Sequence, residues 1–371
     1  MEPNNLTARK FIPALTGIRA ICVYLIFFKH LNFFSPESQH ELYLLVNQFY
    51  TFLSFFFVLS GFMIYHRYYE AGGLKKTKLY NYFINRASRV FPILIILITL
   101  TFLLGYRDGL YNTKEAWKLY FLNITLLKGF SSEYMLTGIG PSWSMSVEEL
   151  FYILSPLIFL FTGRTSSLIK FILITYTSGI FITFLFTRMP FEGFFSSGFF
   201  TANFTFFGRV FEFGCGIFLA MLVNGKIKPI RSPLPEKYTL LIGLAIVISS
   251  VALLYFIASH FNVMQATETW QGILVNNILM PIGITILFYS LVYQKSSIQN
   301  FLSTKIMVQL GNATYSFYLL HTTFFLSYIF KYISQNTFIA FITMVILSYV
   351  FHLIVEQPAT TFLRKVLYKR N

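Results

Sequence analysis

Long runs of apolar residues alternate with short polar segments along nearly the whole chain. A helix needs roughly 20 apolar residues to cross the ~30 Å hydrocarbon core of a bilayer. Ten stretches meet this length: residues 13–34, 43–65, 88–105, 145–162, 167–187, 198–223, 238–259, 273–293, 308–330 and 336–356. The pattern predicts an all-α integral membrane protein with a single bundle of about ten transmembrane helices.

The connections between these stretches are short, and the longest runs from Tyr106 to Ser142. Within it, Trp117 to Leu127 is predicted to form an interfacial helix. The sequence shows no internal repeat, low-complexity tract or appended soluble domain, so we expect one domain over residues 1–371 with its helical bundle at about 11–360. Arg19 interrupts the first apolar stretch and no small-residue cleavage site follows, so this stretch is interpreted as a retained helix, not a cleaved signal.

Basic residues are concentrated in every second connection. With the N-terminus placed inside, 20 of the 29 lysines and arginines fall in inner segments, six fall in outer segments, and Arg19, Lys29 and Arg209 fall within helices. Cytoplasmic loops of membrane proteins carry such an excess of basic residues. The distribution predicts that both termini are cytoplasmic, which requires an even number of spans.

Composition supports the membrane assignment. The chain is 56% hydrophobic and only 12% charged, with a mean hydropathy of +0.63, whereas soluble domains carry about 25% charged residues. The net charge of +15 does not indicate a nucleic-acid-binding protein, because the basic residues form no continuous face. Cys22 and Cys215 both lie in apolar stretches, and they predict neither a disulfide framework nor a metal site.

Ionisable residues inside a membrane are costly and therefore mark functional sites. Arg19 and His30 lie 11 residues apart on the first helix, so they share one face and are separated by about 16 Å along the axis. An arginine at the cytoplasmic mouth suits an anionic ligand head, and a histidine deeper in the membrane suits general-base or nucleophilic chemistry. Coenzyme A has a matching shape, with phosphates at one end and a thioester at the other. In the alternative interpretation, Arg19 snorkels and His30 only packs between helices.

Two further polar groups are predicted at opposite faces of the membrane. Arg86 and Arg89 share a helical face on the cytoplasmic side, where they either bind phosphate or anchor the helix. On the outer side, Trp143 and the adjacent Glu148 and Glu149 begin the fourth helix, where capping is the simpler interpretation. Because adjacent residues point about 100° apart on a helix, at least one glutamate should face the bundle, which favours a sugar-binding corner.

The remaining intramembrane polar residues carry weaker signals. Arg209 and Glu212 have the spacing of a buried ion pair. His321 lies on the ninth helix, where a lone histidine commonly has a packing role. Glu356-Gln357-Pro358 is expected to end the tenth helix.

In this order, the motifs resemble those of the acyltransferase-3 family of bacterial inner-membrane enzymes. The resemblance covers about residues 11 to 365. It rests on Arg19-x10-His30, the string Phe56 to Phe62, Arg86-x-x-Arg89, Trp143-Ser144-x-x-x-Glu148 with Phe151-Tyr152, Tyr315 to His321, and Glu356-x-Pro358. Leu150 stands where relatives commonly carry a polar residue, and Ser54 stands where many carry an acid. Both departures bear on acceptor recognition.

The resemblance implies transfer of an acyl group, most often acetyl, from cytoplasmic acyl-CoA to a hydroxyl of an extracytoplasmic or lipid-linked glycan, such as an O-antigen or exopolysaccharide. His30 would be the general base or transient acyl carrier, and Arg19, Arg86 and Arg89 would bind the CoA phosphates. The acceptor side would use Glu148, with Glu149 as second choice. Substrate contacts are further expected from Trp143, Ser144, Arg209, Glu212 and His321.

No permanently bound cofactor or metal is expected, and acyl-CoA is the donor substrate. The expected partners are the glycan acceptor, membrane lipids and proteins of glycan assembly, in a bacterial inner (plasma) membrane. Two other functions are compatible with the sequence. One is a polytopic transporter of a small anion or lipid-linked sugar, and the other is a non-catalytic scaffold, which would leave the Arg19–His30 spacing without a use.

Overall fold

The computed structural model describes residues 11–31, 33–70, 74–110, 113–227 and 237–368. These residues form an all-helical bundle without a β-strand, apart from one isolated bridge between Ser131 and Phe194. Several basic residues assigned to the inner face lie outside the described residues: Arg9, Lys10, Lys228, Arg231, Lys369 and Arg370. The side chain of Lys237 also lies outside them.

Eight helices in the described part of the chain are long and apolar enough to cross a membrane. They are α2 (His40–Tyr68), α3 (Lys76–Arg107), α5 (Gly140–Phe161), α6 (Thr165–Arg188), α7 (Gly198–Val223), α8 (Tyr238–Phe261), α9 (Trp270–Tyr293) and α14 (Thr337–Leu367). The shorter helices are α1 (Pro13–His30), α4 (Thr113–Ile124), α10 (Ser297–Leu302), α11 (Lys305–Asn312), α12 (Thr314–Leu320) and α13 (Phe324–Tyr332). The integral membrane, all-α class is therefore confirmed, while the count of ten and the position of the termini remain predictions.

Two predicted spans are not among these eight helices, each for its own reason. Helix α1 is 18 residues long and includes Arg19, Lys29 and His30, which lower its hydropathy. The stretch predicted at 308–330 is divided among α11, α12 and α13. The divisions fall around Ala313 and between His321 and Thr323, so polar backbone lies close to His321.

Helix α14 corrects one prediction. Glu356-Gln357-Pro358 does not end the last helix, which continues to Leu367. The residues His352–Glu356 adopt a π-helical turn directly before Pro358. A wider turn changes the backbone hydrogen bonding at the point where proline has no N–H to donate, which explains how the helix continues.

Hydrogen bonds between distant parts of the chain show which helix ends lie together. At the predicted outer end, Gln48 Nε2 donates to the Met264 carbonyl (3.0 Å) and Ser131 Oγ donates to the Glu192 carbonyl (2.6 Å). At the opposite end, the Tyr65 hydroxyl donates to the Thr162 carbonyl (2.9 Å). Below, "outer" and "cytoplasmic" refer to these two ends as the charge distribution predicts them.

Glycines allow a close helix contact between α2 and α7. A Cβ on Gly61 would lie 2.2 Å from the Phe213 carbonyl oxygen, and one on Gly216 would lie 2.0 Å from the Val58 carbonyl oxygen. Helices in membranes commonly pack through small residues because lipid offers little hydrophobic driving force for their association. This contact fixes the position of the α2 face that carries Ser60 and Arg67.

Candidate functional site

A cavity of about 160 Å³ lies among α1, α2, α3, α5 and α12. Ser60, Met63, Ile64 and Arg67 line it from α2, with the spacing of one helical face. Met63 and Arg67 are exposed, and Arg67 lies near the cytoplasmic end of α2, so the mouth opens toward that face.

Four arginines and two glutamates line this cavity: Arg19, Arg67, Arg86, Arg89, Glu148 and Glu149. Within the ranges that the structure describes, no ion pair within 4.0 Å connects any of these six residues to a partner. Buried charges are normally paired because desolvation is costly. With four cationic and two anionic side chains, the cavity is suited to an anionic ligand.

The Arg86 guanidinium lies between two tyrosine rings, 5.6 Å from the Tyr68 centroid and 5.4 Å from the Tyr152 centroid. Stacking of this kind holds an arginine in a fixed orientation without neutralising it. Its Nε atom is buried and has no hydrogen-bond partner among the described residues, and the same is true of Glu149 Oε1. Two buried polar atoms in one cavity are therefore available to a ligand or to water.

Glu148 is held by hydroxyl groups. Ser60 Oγ donates to Glu148 Oε1 at 2.8 Å, and the Tyr152 hydroxyl donates to Glu148 Oε2 at 3.2 Å. Glu148 thus lies in the same cavity as the three arginines that the sequence predicts as CoA-binding residues, although its position near the start of α5 predicted the outer side. The depth explains this position: at 1.5 Å per residue, Glu148 lies about 7.5 Å along the helix from Trp143.

Tyr318 lies at the end of the cavity away from its mouth, and it connects the cavity to a pair of histidines. Its hydroxyl is 2.7 Å from Ser144 Oγ and donates to the Pro141 carbonyl at 2.7 Å. Its carbonyl accepts a hydrogen bond from His321 Nδ1 at 2.8 Å. The His321 ring lies 5.3 Å, centroid to centroid, from the His30 ring.

His30 is therefore separated from the cavity that contains Arg19. His30 is the last residue of α1, it is exposed, and no residue of the described chain forms a hydrogen bond with its ring. The unbroken helix from Pro13 to His30 preserves the predicted spacing between Arg19 and His30. The structure thus places the arginine end and the histidine end of α1 on either side of Tyr318.

The other predicted site residues lie apart from this cavity. Trp143 packs edge-on against Phe204 at 4.9 Å. Arg209 forms two hydrogen bonds with the Glu212 carboxylate (2.6 and 2.7 Å), one with Asn277 Oδ1 (3.0 Å) and one with Ser54 Oγ (3.2 Å). Ser54, which departs from the family pattern, is thus part of this buried network.

Sequence reasoning missed two features of the site and one buried residue outside it. Arg67 was counted only as an inner-face charge, although its spacing from Ser60 could have placed it on the cavity face. Nothing in the sequence indicated that Tyr68 and Tyr152 would enclose Arg86. Lys128, counted only as an outer-loop charge, is fully buried and donates to the carbonyls of Thr137 and Ile139, and burial lowers the pKa of its ammonium group to about 7.

The family model for the acyltransferase-3 domain matches residues 12–356, and the chain belongs to this family of membrane acyltransferases. Among curated relatives, the peptidoglycan O-acetyltransferase OatA of Listeria monocytogenes is 23% identical over 170 residues, which are 42% of this chain and 25% of the relative. A provisionally named O-acetyltransferase of Staphylococcus aureus (strain COL) is 30% identical over 162 residues, 40% of this chain and 25% of the relative.

These matches span about a quarter of the length of each relative. No solved structure matches the chain. The family assignment therefore rests on the domain match, which covers nearly the whole chain, and the resemblance stated from the motifs is confirmed.

Proposed function

We propose that the protein transfers an acyl group, with acetyl favoured, from cytoplasmic acyl-CoA to a hydroxyl of an extracytoplasmic or lipid-linked glycan. The observation that supports this best is the arrangement along α1. An arginine-lined cavity without ion-pair partners surrounds Arg19, and His30 lies about 16 Å further along the same helix. The bacterial inner membrane is the proposed location, because acyl-CoA is cytoplasmic.

The donor's phosphates would bind in the arginine-lined cavity. Guanidinium groups bind phosphate oxygens through two parallel hydrogen bonds, and Arg86 is held in position for this by its two tyrosines. Arg19 and Arg89 would complete the contact. Arg67, exposed near the mouth, would attract the polyanion from the cytoplasm.

The thioester arm of the donor would extend from this cavity toward His30. Tyr318 and Ser144 stand in this direction, and their hydroxyl pair would separate or shift as the arm enters. At the histidine end, His30 would act either as the general base for the acceptor hydroxyl or as a transient acyl carrier. In both versions the carbon–sulfur bond breaks, CoA leaves as the thiolate, and the acyl carbon finally bonds to the acceptor oxygen.

The two glutamates fit the donor side better than the acceptor side proposed from their sequence position. Glu148 and Glu149 share the cavity with the arginines, where they limit its positive charge and offer acceptors to N–H groups of the donor. Trp143 and Ser144, at the start of α5, and His321 remain candidates near the acceptor. Arg209 and Glu212 already bind each other, so we propose a framework role for them.

The names of the two relatives, both O-acetyltransferases, support a hydroxyl acceptor and an acetyl group. The acceptor would approach His30 from the outer face, where His30 is exposed. Lipids surround the bundle, and proteins of glycan assembly are proposed as partners that deliver the acceptor.

The test is transfer of label from [¹⁴C]acetyl-CoA in inverted membrane vesicles that contain the wild type or His30→Ala. We expect label in a glycan or lipid fraction with wild type, and at least a ~100-fold lower rate with His30→Ala, the scale of general-base catalysis. His260→Ala, an exposed histidine at the end of α8, is the matched control and should retain activity. Equal rates for wild type and His30→Ala would contradict the proposal, and accumulation of unmodified solute would favour a transporter.

A further inference from the structure

The hydrogen bonding of His321 determines which of its ring nitrogens carries hydrogen. Nδ1 lies 2.8 Å from the Tyr318 carbonyl oxygen, and a carbonyl can only accept. Nδ1 must therefore carry the hydrogen and donate it. In the neutral ring, Nε2 is then an unprotonated nitrogen with a free lone pair.

This Nε2 atom is buried and has no hydrogen-bond partner among the described residues. The whole His321 side chain is inaccessible to solvent, and a buried acceptor without a partner costs free energy. Packing does not require a basic nitrogen there, since the ring is held by Phe27 at 5.9 Å and by Phe317, nearly parallel, also at 5.9 Å. An unpartnered basic nitrogen at this position is explained if another group bonds to it only during the reaction.

His30 lies close enough to become that partner during the reaction. Its ring centroid lies 5.3 Å from that of His321, with the ring planes tilted by 55°. His30 is exposed at the end of α1, so its ring is free to turn toward Nε2 or to reach it through one water. Catalytic hydrogen bonds are commonly long before substrate binds.

We infer that His321 is a positioning residue that accepts a proton from His30 during acyl transfer; this rests on the proposed function. One nitrogen of His30 takes the proton of the acceptor hydroxyl as the oxygen–carbon bond forms and the carbon–sulfur bond breaks. The other nitrogen of His30 gives its proton to His321 Nε2, so His30 stays neutral. CoA leaves as the thiolate, and the proton on His321 returns through the exposed His30 to water when the products leave.

The same relay serves if His30 carries the acyl group. Attack on the thioester through one nitrogen releases CoA as the thiolate and makes an acylimidazolium, and loss of the proton at its other nitrogen to His321 gives the neutral acylimidazole. The acceptor oxygen then bonds to the acyl carbon as the carbon–nitrogen bond breaks, and the acceptor's proton goes to the His30 nitrogen that is released. In either case Nδ1 of His321 stays bonded to the Tyr318 carbonyl. The fixed hydrogen on Nδ1 is what keeps Nε2 available as the base.

The test compares His321→Gln and His321→Asn in the vesicle assay, with the initial rate measured against [¹⁴C]acetyl-CoA concentration. Asparagine can retain the N–H donor toward Tyr318, and glutamine can offer an oxygen to His30, but neither accepts a proton. Both variants should lower kcat by about 100-fold with KM for acetyl-CoA within threefold of wild type. Rates are normalised to folded protein measured by size exclusion in detergent.

If either variant keeps kcat within threefold of wild type, the relay is wrong, because hydrogen bonding without proton transfer would then suffice. An increase confined to KM would also overturn it and assign His321 to ligand binding. His260→Gln is the matched control and should behave as wild type. Where a polar variant does not fold, His321→Leu takes its place, since it removes the buried polar atoms altogether and the same kcat criterion applies.

The outcomes separate this inference from the proposed function. Absence of transfer by wild type would refute the proposed function and the relay with it. Transfer that depends on His30 but not on His321 would leave the proposed function intact and refute the relay alone.

Discussion

Arg86 and Arg209 both lie inside the helical bundle, but within the described ranges only Arg209 has a carboxylate partner. Arg209 forms four hydrogen bonds with Glu212, Asn277 and Ser54 and is nearly inaccessible. Arg86 stacks between Tyr68 and Tyr152, has an unpartnered Nε and lines a cavity with three other arginines. The positive charge of Arg209 is thus neutralised by a carboxylate, whereas that of Arg86 is not paired with any carboxylate of the described chain.

This difference distinguishes charges that hold the helices together from charges that are available to bind a ligand. A network that satisfies its own donors and acceptors has no capacity left for a ligand, and its role is to fix the helices. A group of charges held in place by aromatic stacking and hydroxyl groups, yet not neutralised, is preorganised for a ligand of opposite charge. Among the described residues, the absence of ion pairs distinguishes the proposed binding site better than the presence of charges does.

The largest effect should come from breaking the satisfied network. Arg209→Leu leaves the Glu212 carboxylate buried without its partner, which typically costs about 3–5 kcal/mol. We expect a large loss of folded protein and a lower midpoint of thermal unfolding in detergent. The double variant Arg209→Leu/Glu212→Leu removes both charges and should recover most of this stability. A stable and fully active Arg209→Leu variant would show that the network does not support the fold.

The second effect should appear in binding rather than in folding. Arg86→Gln removes a charge that has no ionic partner, so stability should change by less than about 1 kcal/mol. If Arg86 makes charge-assisted hydrogen bonds to the donor, KM for acetyl-CoA should rise about 10- to 100-fold. The measurement is initial rate against acetyl-CoA concentration, alongside thermal unfolding of the same preparation. An unchanged KM would place the donor elsewhere.

Sequence patterns predicted the class of fold because lipid imposes a simple rule on long apolar helices. The apolar runs that became α6, α7 and α8 predict their helices closely. The rule fails where polar backbone groups at an irregular turn are hydrogen-bonded by other parts of the protein. The stretch 308–330 is divided close to His321, and α14 continues through Glu356 and Pro358 by means of a π-helical turn. Both features depend on tertiary neighbours that no local pattern specifies.

The sequence predicted individual residues of the candidate site but not which of them lie together. The 11-residue spacing predicted that Arg19 and His30 share one face of α1, because helix periodicity is local. The association of Glu148 with the arginines was not predicted, because position relative to a loop gives the face of the membrane but not the depth that a side chain reaches. The pairing of His30 with His321 likewise depends on how α1 packs against α12, which a single sequence does not specify.

The smallest effect is expected at the mouth of the cavity. Arg67 is exposed and lines the entrance, so its contribution to donor binding should be screened by salt, with a Debye length of about 8 Å at physiological ionic strength. Arg67→Ala should raise KM for acetyl-CoA by about fivefold or less, since exposed ionic contacts typically contribute at most ~1 kcal/mol, and the difference from wild type should shrink at high salt. Arg164→Ala removes an exposed arginine on the same predicted face but outside the cavity, and it should leave KM unchanged. Equal effects from the two variants would mean that all exposed basic residues of the cytoplasmic face attract the donor alike. Specific binding by cavity arginines would then begin deeper in the cavity, at Arg86.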